Sequence, residues 1–148
     1  MVPNLPSTEL NLSDFWINNM TTKDIGTLGE NIAIKFLKKN KYKILDRNLH
    51  ISHNELDIIA LHKKSGIIAF IEVKTRSVDS DLFSPFGTPA SAVTKQKQQR
   101  TIQATKGYLS LNSKFNKYQP RLDVIEIYLS KQDKSLLKIN HIENAFGV

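Results

Sequence analysis

Two pairs of residues place reactive groups two positions apart. Glu72 and Lys74 close the run Ile67-Ile68-Ala69-Phe70-Ile71, which is otherwise apolar, and Glu55 and Asp57 stand in the segment before it. Alternate residues of a β-strand project from one face, so as strands each pair shares a face. Where the two faces meet, Asp57 and Glu72 can bind one divalent cation. Hard cations such as Mg²⁺ take carboxylate oxygens and keep several waters. The cation would lower the pKa of a bound water and neutralise charge on a phosphate. Lys74 would orient that water or stabilise charge in the transition state. An aspartate followed on the next strand by Glu-x-Lys is thus a unit for hydrolysing a phosphodiester. The plain alternative is a same-face ion pair worth about 0–1 kcal/mol, with Glu55 simply solvated beside a turn. Context favours the first reading. The strand from Ile67 is apolar on both faces, so its centre is covered on both sides and its charged end faces a cleft or a sheet edge.

Glu30 is the fourth candidate. It flanks the stripe Ile25, Leu28, Ile32, Ala33, Phe36, Leu37, which repeats with helical period between Thr21 and Asn40. Thr27-Leu28-Gly29-Glu30 matches a capping box. Because the stripe already includes Ile25, the helix starts near Thr21 or Thr22, and Glu30 is mid-helix. From the edge of the stripe it could reach the cleft directly or through water.

The elements that must position these groups follow from periodicity and punctuation. Strands are expected at about 43–49, 55–61 and 67–74, joined by turn-like stretches at His53-Asn54 and Lys63-Lys64-Ser65-Gly66. Links this short favour antiparallel hairpins. Residues 77–88 read as a loop, and a second helix runs from about Pro89 to Leu111, Pro89 suiting a first helical turn. Two further strands are expected at 121–129 and 136–141. The order α-β-β-β-α-β-β indicates an α/β domain with a mixed central sheet flanked by helices. Residues 1–20 form a polar tail whose apolar knot, Phe15-Trp16-Ile17, could dock on the single domain 21–148.

Composition narrows the function. No apolar run approaches the roughly 20 residues needed to span a bilayer. Cysteine is absent, which rules out a disulfide framework or a thiolate zinc site and fits a reducing cytosol. The first 22 residues hold no Lys or Arg, which argues against a signal or transit peptide. A cytoplasmic protein is expected. Most of the net charge of +7 comes from the segment 89–120, which carries six basic residues and no acidic one. Such a run is either a solvated helix face or a phosphate-binding surface. On the second helix Gln96, Gln99, Arg100, Gln103 and Lys106 form a polar stripe, with Val93, Ile102, Thr105 and Leu109 on the buried side. Lys97, on the flank with Thr101, Ala104 and Tyr108, would point at the cleft. Lys95, Lys97, Arg100 and Lys106, with Arg76 just past the Glu-x-Lys strand, are the expected nucleic-acid contacts, of the kind made to phosphate and sugar. Arg121 and Asp123 are expected to pair within the fold, and the four histidines show no metal-ligand spacing.

The blocks "GTLGENIAIKFL", "NELDIIA", "FIEVKTR", "AVTKQKQQRTIQATKGYL", "RLDVIEI" and "INHIENAF" stand in the order found in the YraN family of bacterial endonuclease-like proteins. The chain resembles that family from about Thr22 to Phe146. The resemblance implies a restriction-endonuclease-like fold, related to archaeal four-way-junction resolvases and the PD-(D/E)-x-K nucleases. By position it implies that Glu30, Asp57, Glu72 and Lys74 are catalytic, and that Mg²⁺ or Mn²⁺ is held by Asp57, Glu72 and Val73. Two departures stand out. Leu56 rather than Pro precedes Asp57, and Asn54 stands where the family commonly has Gly. Asn tolerates a left-handed turn better than most residues. The expected function is a metal-dependent DNA endonuclease or junction resolvase acting on DNA, branched forms included, and junction resolution would favour a homodimer. The alternatives are a nucleic-acid-binding module on a nuclease fold without turnover, and a structural partner of a larger assembly recruited through the aromatic knot.

Overall fold

The computed structural model describes residues 12–80 and 93–147. A short helix, α1 (Leu12–Asn18), precedes the long helix α2 (Thr22–Lys39). Thr21 caps α2 from an extended backbone. Its hydroxyl accepts from the Asp24 N–H at 3.1 Å, and the Asp24 carboxylate accepts from the Thr21 N–H at 2.9 Å. This reciprocal pair satisfies two of the free donors at the helix start. The capping box is therefore Thr21–Asp24, and Glu30 lies mid-helix.

Three strands follow, β1 (Lys43–Ile51), β2 (Asn54–His62) and β3 (Ile67–Val78), joined as antiparallel hairpins. The left-handed residue of the first turn is Ser52, with φ of 55°, so the turn sits one residue before the expected His53-Asn54 and Asn54 opens the strand. Helix α3 (Lys95–Leu111) and a 3-10 turn (Ser113–Phe115) lead to β4 (Gln119–Ser130), which pairs parallel to β3 over its whole length. Parallel neighbours need a crossover connection, and α3 provides it. β5 (Leu136–Phe146) returns antiparallel to β4, giving one mixed five-stranded sheet in the order β1-β2-β3-β4-β5.

Each face of the sheet has its own apolar cluster. On one, Ile58, Ala60, Ala69, Ile71, Ile125, Ile127 and Leu129 pack against Ala33, Ile34 and Leu37 of α2. On the other, Ile59, Leu61, Ile68, Phe70 and Leu122 pack against Ala104 and Tyr108 of α3. Strand β3 supplies alternate residues to both clusters, which is why its sequence is apolar without alternation.

Several expectations are corrected here. Val93 and Thr94 are not helical. Thr94 has an extended backbone, and its hydroxyl accepts from the Lys97 N–H at 3.1 Å, so α3 starts at Lys95; Pro89 itself lies outside the described residues. The buried face of α3 is Thr101, Ala104, Thr105 and Tyr108, while Ile102 and Leu109 are only half-buried. Small Ala104 lets the helix approach the sheet, and Tyr108 then meets Phe70 edge-on at 5.7 Å. Strand β3 runs on to Val78 because β4 pairs with it to the end, so Arg76 and Ser77 are strand residues rather than loop. The aromatic knot lies on α1 with Phe15 and Trp16 exposed. Among the described residues, no helix is long and apolar enough to cross a membrane.

Candidate active site

The β2–β3 ladder runs from His62↔Ile67 to Ile58↔Ile71 and ends there. One residue further on, the Asp57 side chain takes the place of a strand partner. Its Oδ2 accepts the Val73 N–H at 2.9 Å. This bond fixes the Asp57 carboxyl against β3, where Glu72 is its charge and hydrogen-bond neighbour. Glu72 is only 8% exposed. Lys74 Nζ lies 3.7 Å from Glu72 Oε1, and Lys97 Nζ, from the first turn of α3, lies 3.7 Å from Oε2. Two carboxyls and two ammonium groups thus form one cluster beside the start of α3.

Burial pushes the Asp57 carboxyl up, and the Glu72 charge pushes it further, to about 7; the Val73 N–H and the Lys97 charge oppose this without prevailing. Two carboxyls held together out of water cannot both ionise cheaply. The arrangement therefore favours a cation or a proton between them.

The other sequence candidates are placed as follows. Glu30 turns to Arg47 on β1, with Arg47 Nη2 at 3.6 Å from its Oε2, and the same guanidinium donates to Asn31 Oδ1 at 3.0 Å. Its neighbour Gly29 lies against β3, where a methyl group would overlap the Thr75 side chain. Glu30 is therefore carried close to the strand of the cluster but not into it. Among the described residues, no group of three or more His, Asp or Glu side chains is arranged to hold a metal. Glu55 is exposed. Val73 presents its N–H to Asp57. Arg76 stands beside Tyr128 in the β3–β4 register, with its Nε buried and, among the described residues, without a hydrogen-bond partner. Lys95, Arg100 and Lys106 are exposed along α3, with Gln96, Gln99 and Gln103. Lys97 is set apart from them by its inward contact with Glu72.

Sequence reasoning passed over Glu126. It is 2% exposed and stands next to Lys74 in the β3–β4 register. Its oxygens accept from the Tyr128 hydroxyl at 3.1 Å and from the Asn140 amide at 2.9 Å. The signal was a polar residue in an otherwise apolar strand, two before Tyr128 and level with Lys74, but the parallel register that aligns them is not written in either segment.

A second charged cluster is built on Arg121 and Asp123 of β4, which stand level with Ala69 and Ile71 of β3. Arg121 donates to both oxygens of Asp123 at 2.8 Å and to the Tyr42 hydroxyl at 2.6 Å, and His141 Nε2 donates to Asp123 Oδ2 at 2.8 Å. Burial raises the Asp123 carboxyl, but the hydrogen bonds from His141, Arg121 and the Asn144 N–H outweigh it and hold the group below its ordinary range. The expected pairing of Arg121 and Asp123 within the fold is what the geometry shows, and His141 joins it.

The model of the uncharacterised protein family UPF0102 matches residues 29–127, from the residue before Glu30 to the last third of β4. The chain belongs to this family, which is the YraN family. A UPF0102 protein of Caldanaerobacter subterraneus subsp. tengcongensis is 42% identical over 88% of the chain and 100% of its own length. One from Clostridium perfringens is 44% identical over 85% of the chain and 96% of its own. One from Alkaliphilus oremlandii is 40% identical over 84% and 98%. The UPF0102 match contains the whole Asp57–Glu72–Lys74–Lys97 cluster.

Proposed function

We propose that this chain is a metal-dependent DNA endonuclease with a restriction-endonuclease-like fold. The observation that carries the reading is the convergence of Asp57 and Glu72 from adjacent strands, with Lys74 on the same carboxylate. The donor set fits a hard dication, since Mg²⁺ is usually bound through one or two carboxylates together with substrate phosphate and water. Asp57 and Glu72 would hold Mg²⁺ or Mn²⁺, with Val73 contributing its main-chain oxygen. When bound, the ion supplies a water of lowered pKa and neutralises phosphate charge. The side chains do the rest. Lys74, 3.7 Å from Glu72, would hold the attacking water or a phosphate oxygen, and Lys97, at the same distance, would face the phosphate from α3. Glu30, held by Arg47, acts through an outer-shell water. Cleavage of a four-way junction would call for two such sites, hence a homodimer.

One observation favours a second reading, a nucleic-acid-binding module without turnover. Lys74 and Lys97 both lie 3.7 Å from Glu72, so the chain's own ammonium groups can neutralise that carboxylate. Incubating linear, flapped and four-way DNA with Mg²⁺, Mn²⁺ or chelator separates the two. The expected result is cleavage that requires the metal and disappears in Lys74→Ala. Absence of cleavage on every substrate would leave the binding module.

A further inference from the structure

Four lysines from three separate parts of the chain meet at the far end of α3. Lys43 opens β1, Lys63 lies in the β2–β3 turn, and Lys114 and Lys117 follow α3. They line a concavity of about 320 Å³ whose other walls are Leu45, Leu61, Phe115 and Tyr118, with no acidic residue among them. All four lysines are exposed, and none belongs to an ion pair among the described residues. Lys114 Nζ lies over the Phe115 ring at 5.2 Å and Lys117 Nζ over Tyr118 at 5.4 Å. The rings are half-buried against the α3-side core, so they steady the ammonium groups rather than offer an apolar surface for insertion.

We infer that this patch is a second phosphate-binding surface, and that a duplex DNA arm lies along α3 with one end at the Asp57–Glu72 cleft and the other on the four lysines. The inference rests on the DNA reading above and adds the minimum arm that the site engages. Uncompensated like charges gathered from distant segments suit a polyanion, and no acidic side chain of the concavity neutralises them. The patch also continues a track. Lys95, Arg100 and Lys106 are exposed along α3 between the two ends, and the 17 residues of the helix, at 1.5 Å each, span about 25 Å. Successive phosphates on a B-DNA strand advance about 3.4 Å along the axis, so the patch meets a phosphate about seven base pairs from the cleft. Phosphate contacts of this kind set position and carry no base information.

The test is binding in chelator, where no cleavage occurs. Fluorescence anisotropy at low salt compares blunt duplexes of about five, eight, twelve and sixteen base pairs, lengths that bracket the seven-step span. The expected result is a rise of about tenfold or more in affinity between five and twelve base pairs and little gain beyond. In the variant with Lys43, Lys63, Lys114 and Lys117 all changed to Gln, the step disappears and the log–log salt slope shrinks by about one for each phosphate that the variant no longer neutralises. Circular dichroism is the check that this variant is folded. A folded variant that keeps both the step and the slope overturns the inference, as does wild-type affinity that does not depend on length, or tighter binding of duplex RNA than of DNA. The nuclease reading fails separately. A length step without metal-dependent cleavage supports the track and removes the enzyme, whereas cleavage without the step does the reverse.

Discussion

At the scale of single residues, the informative group is Asp57. Its carboxyl is raised to about 7 by burial and by Glu72, against an ordinary 3.8. A carboxyl raised in the folded state binds more protons folded than unfolded between those two values, so stability falls as pH rises through that window. The loss is on the order of a few kcal/mol. Urea unfolding should therefore show lower stability at pH 8 than at pH 5. Asp57→Asn should abolish that difference and stabilise the protein at pH 8. The lowered Asp123 contributes with the opposite sign, losing stability only as pH falls below its ordinary 3.8, outside this window. Mg²⁺ at pH 8 should raise the unfolding midpoint of the wild type and leave that of Asp57→Asn unchanged; equal shifts in both would show that the ion binds elsewhere. Lys74 sits on the same cluster but is one cation among many on the surface. Lys74→Ala should remove cleavage while changing DNA affinity in chelator less than about threefold, since one phosphate contact fewer changes the salt slope by only about one.

At the scale of elements, what could be read from the sequence was what repeats locally. The α2 stripe, the two hairpins and the shared face of Glu72 and Lys74 follow from period and turn residues. Register was not legible, because it depends on partners far away in the chain. Glu126 comes level with Lys74 only through the parallel pairing of β3 with β4, and His141 reaches Asp123 only across β4 and β5. The start of α3 was misplaced because Pro89 suits a first turn as well as Thr94 suits a cap. Its buried face was only partly assigned: Thr105 is buried as expected, but Ile102 and Leu109 are more apolar than Thr101 and Ala104 and drew the reading away from them. Packing preferred the side with small Ala104, and that choice turned Lys97 onto Glu72. The Asp123 hub locks β4 to β5 and to Tyr42, just after α2. Asp123→Ala would leave the largely buried Arg121 with only the exposed Glu143 carboxylate, 3.6 Å away, and breaking a buried pair from one side costs about 3–5 kcal/mol. Urea unfolding should show that loss, with His141→Ala costing less because Arg121 still holds Asp123; a loss under about 1 kcal/mol for Asp123→Ala would mean that the hub is dispensable.

At the scale of the molecule, the two charged clusters of the sheet have different tasks. The Asp57–Glu72 cluster carries groups under mutual strain, and the Asp123 cluster carries groups that satisfy one another. The segment 89–120, basic and free of acids, supplies the α3 side, whereas the first 22 residues carry no Lys or Arg and so add nothing to a phosphate track. Nor does α1 complete the cores. Both apolar clusters close without α1, whose Leu12, Phe15 and Trp16 are 75%, 54% and 68% exposed. Phe15 and Trp16 touch each other edge-on, with ring centroids 6.0 Å apart. Trp16 is the single tryptophan of the chain, so its fluorescence reports on this helix alone. Emission from the native protein should resemble that of tryptophan in water and change little through a urea transition that circular dichroism follows fully. Removing residues 1–20 should shift stability by no more than about 0.5 kcal/mol, the usual range for surface changes. A native emission well to the blue, deepening as the protein is concentrated, would instead mean that a second copy covers the aromatic pair, and truncation would then weaken self-association while leaving the fold of the domain unchanged.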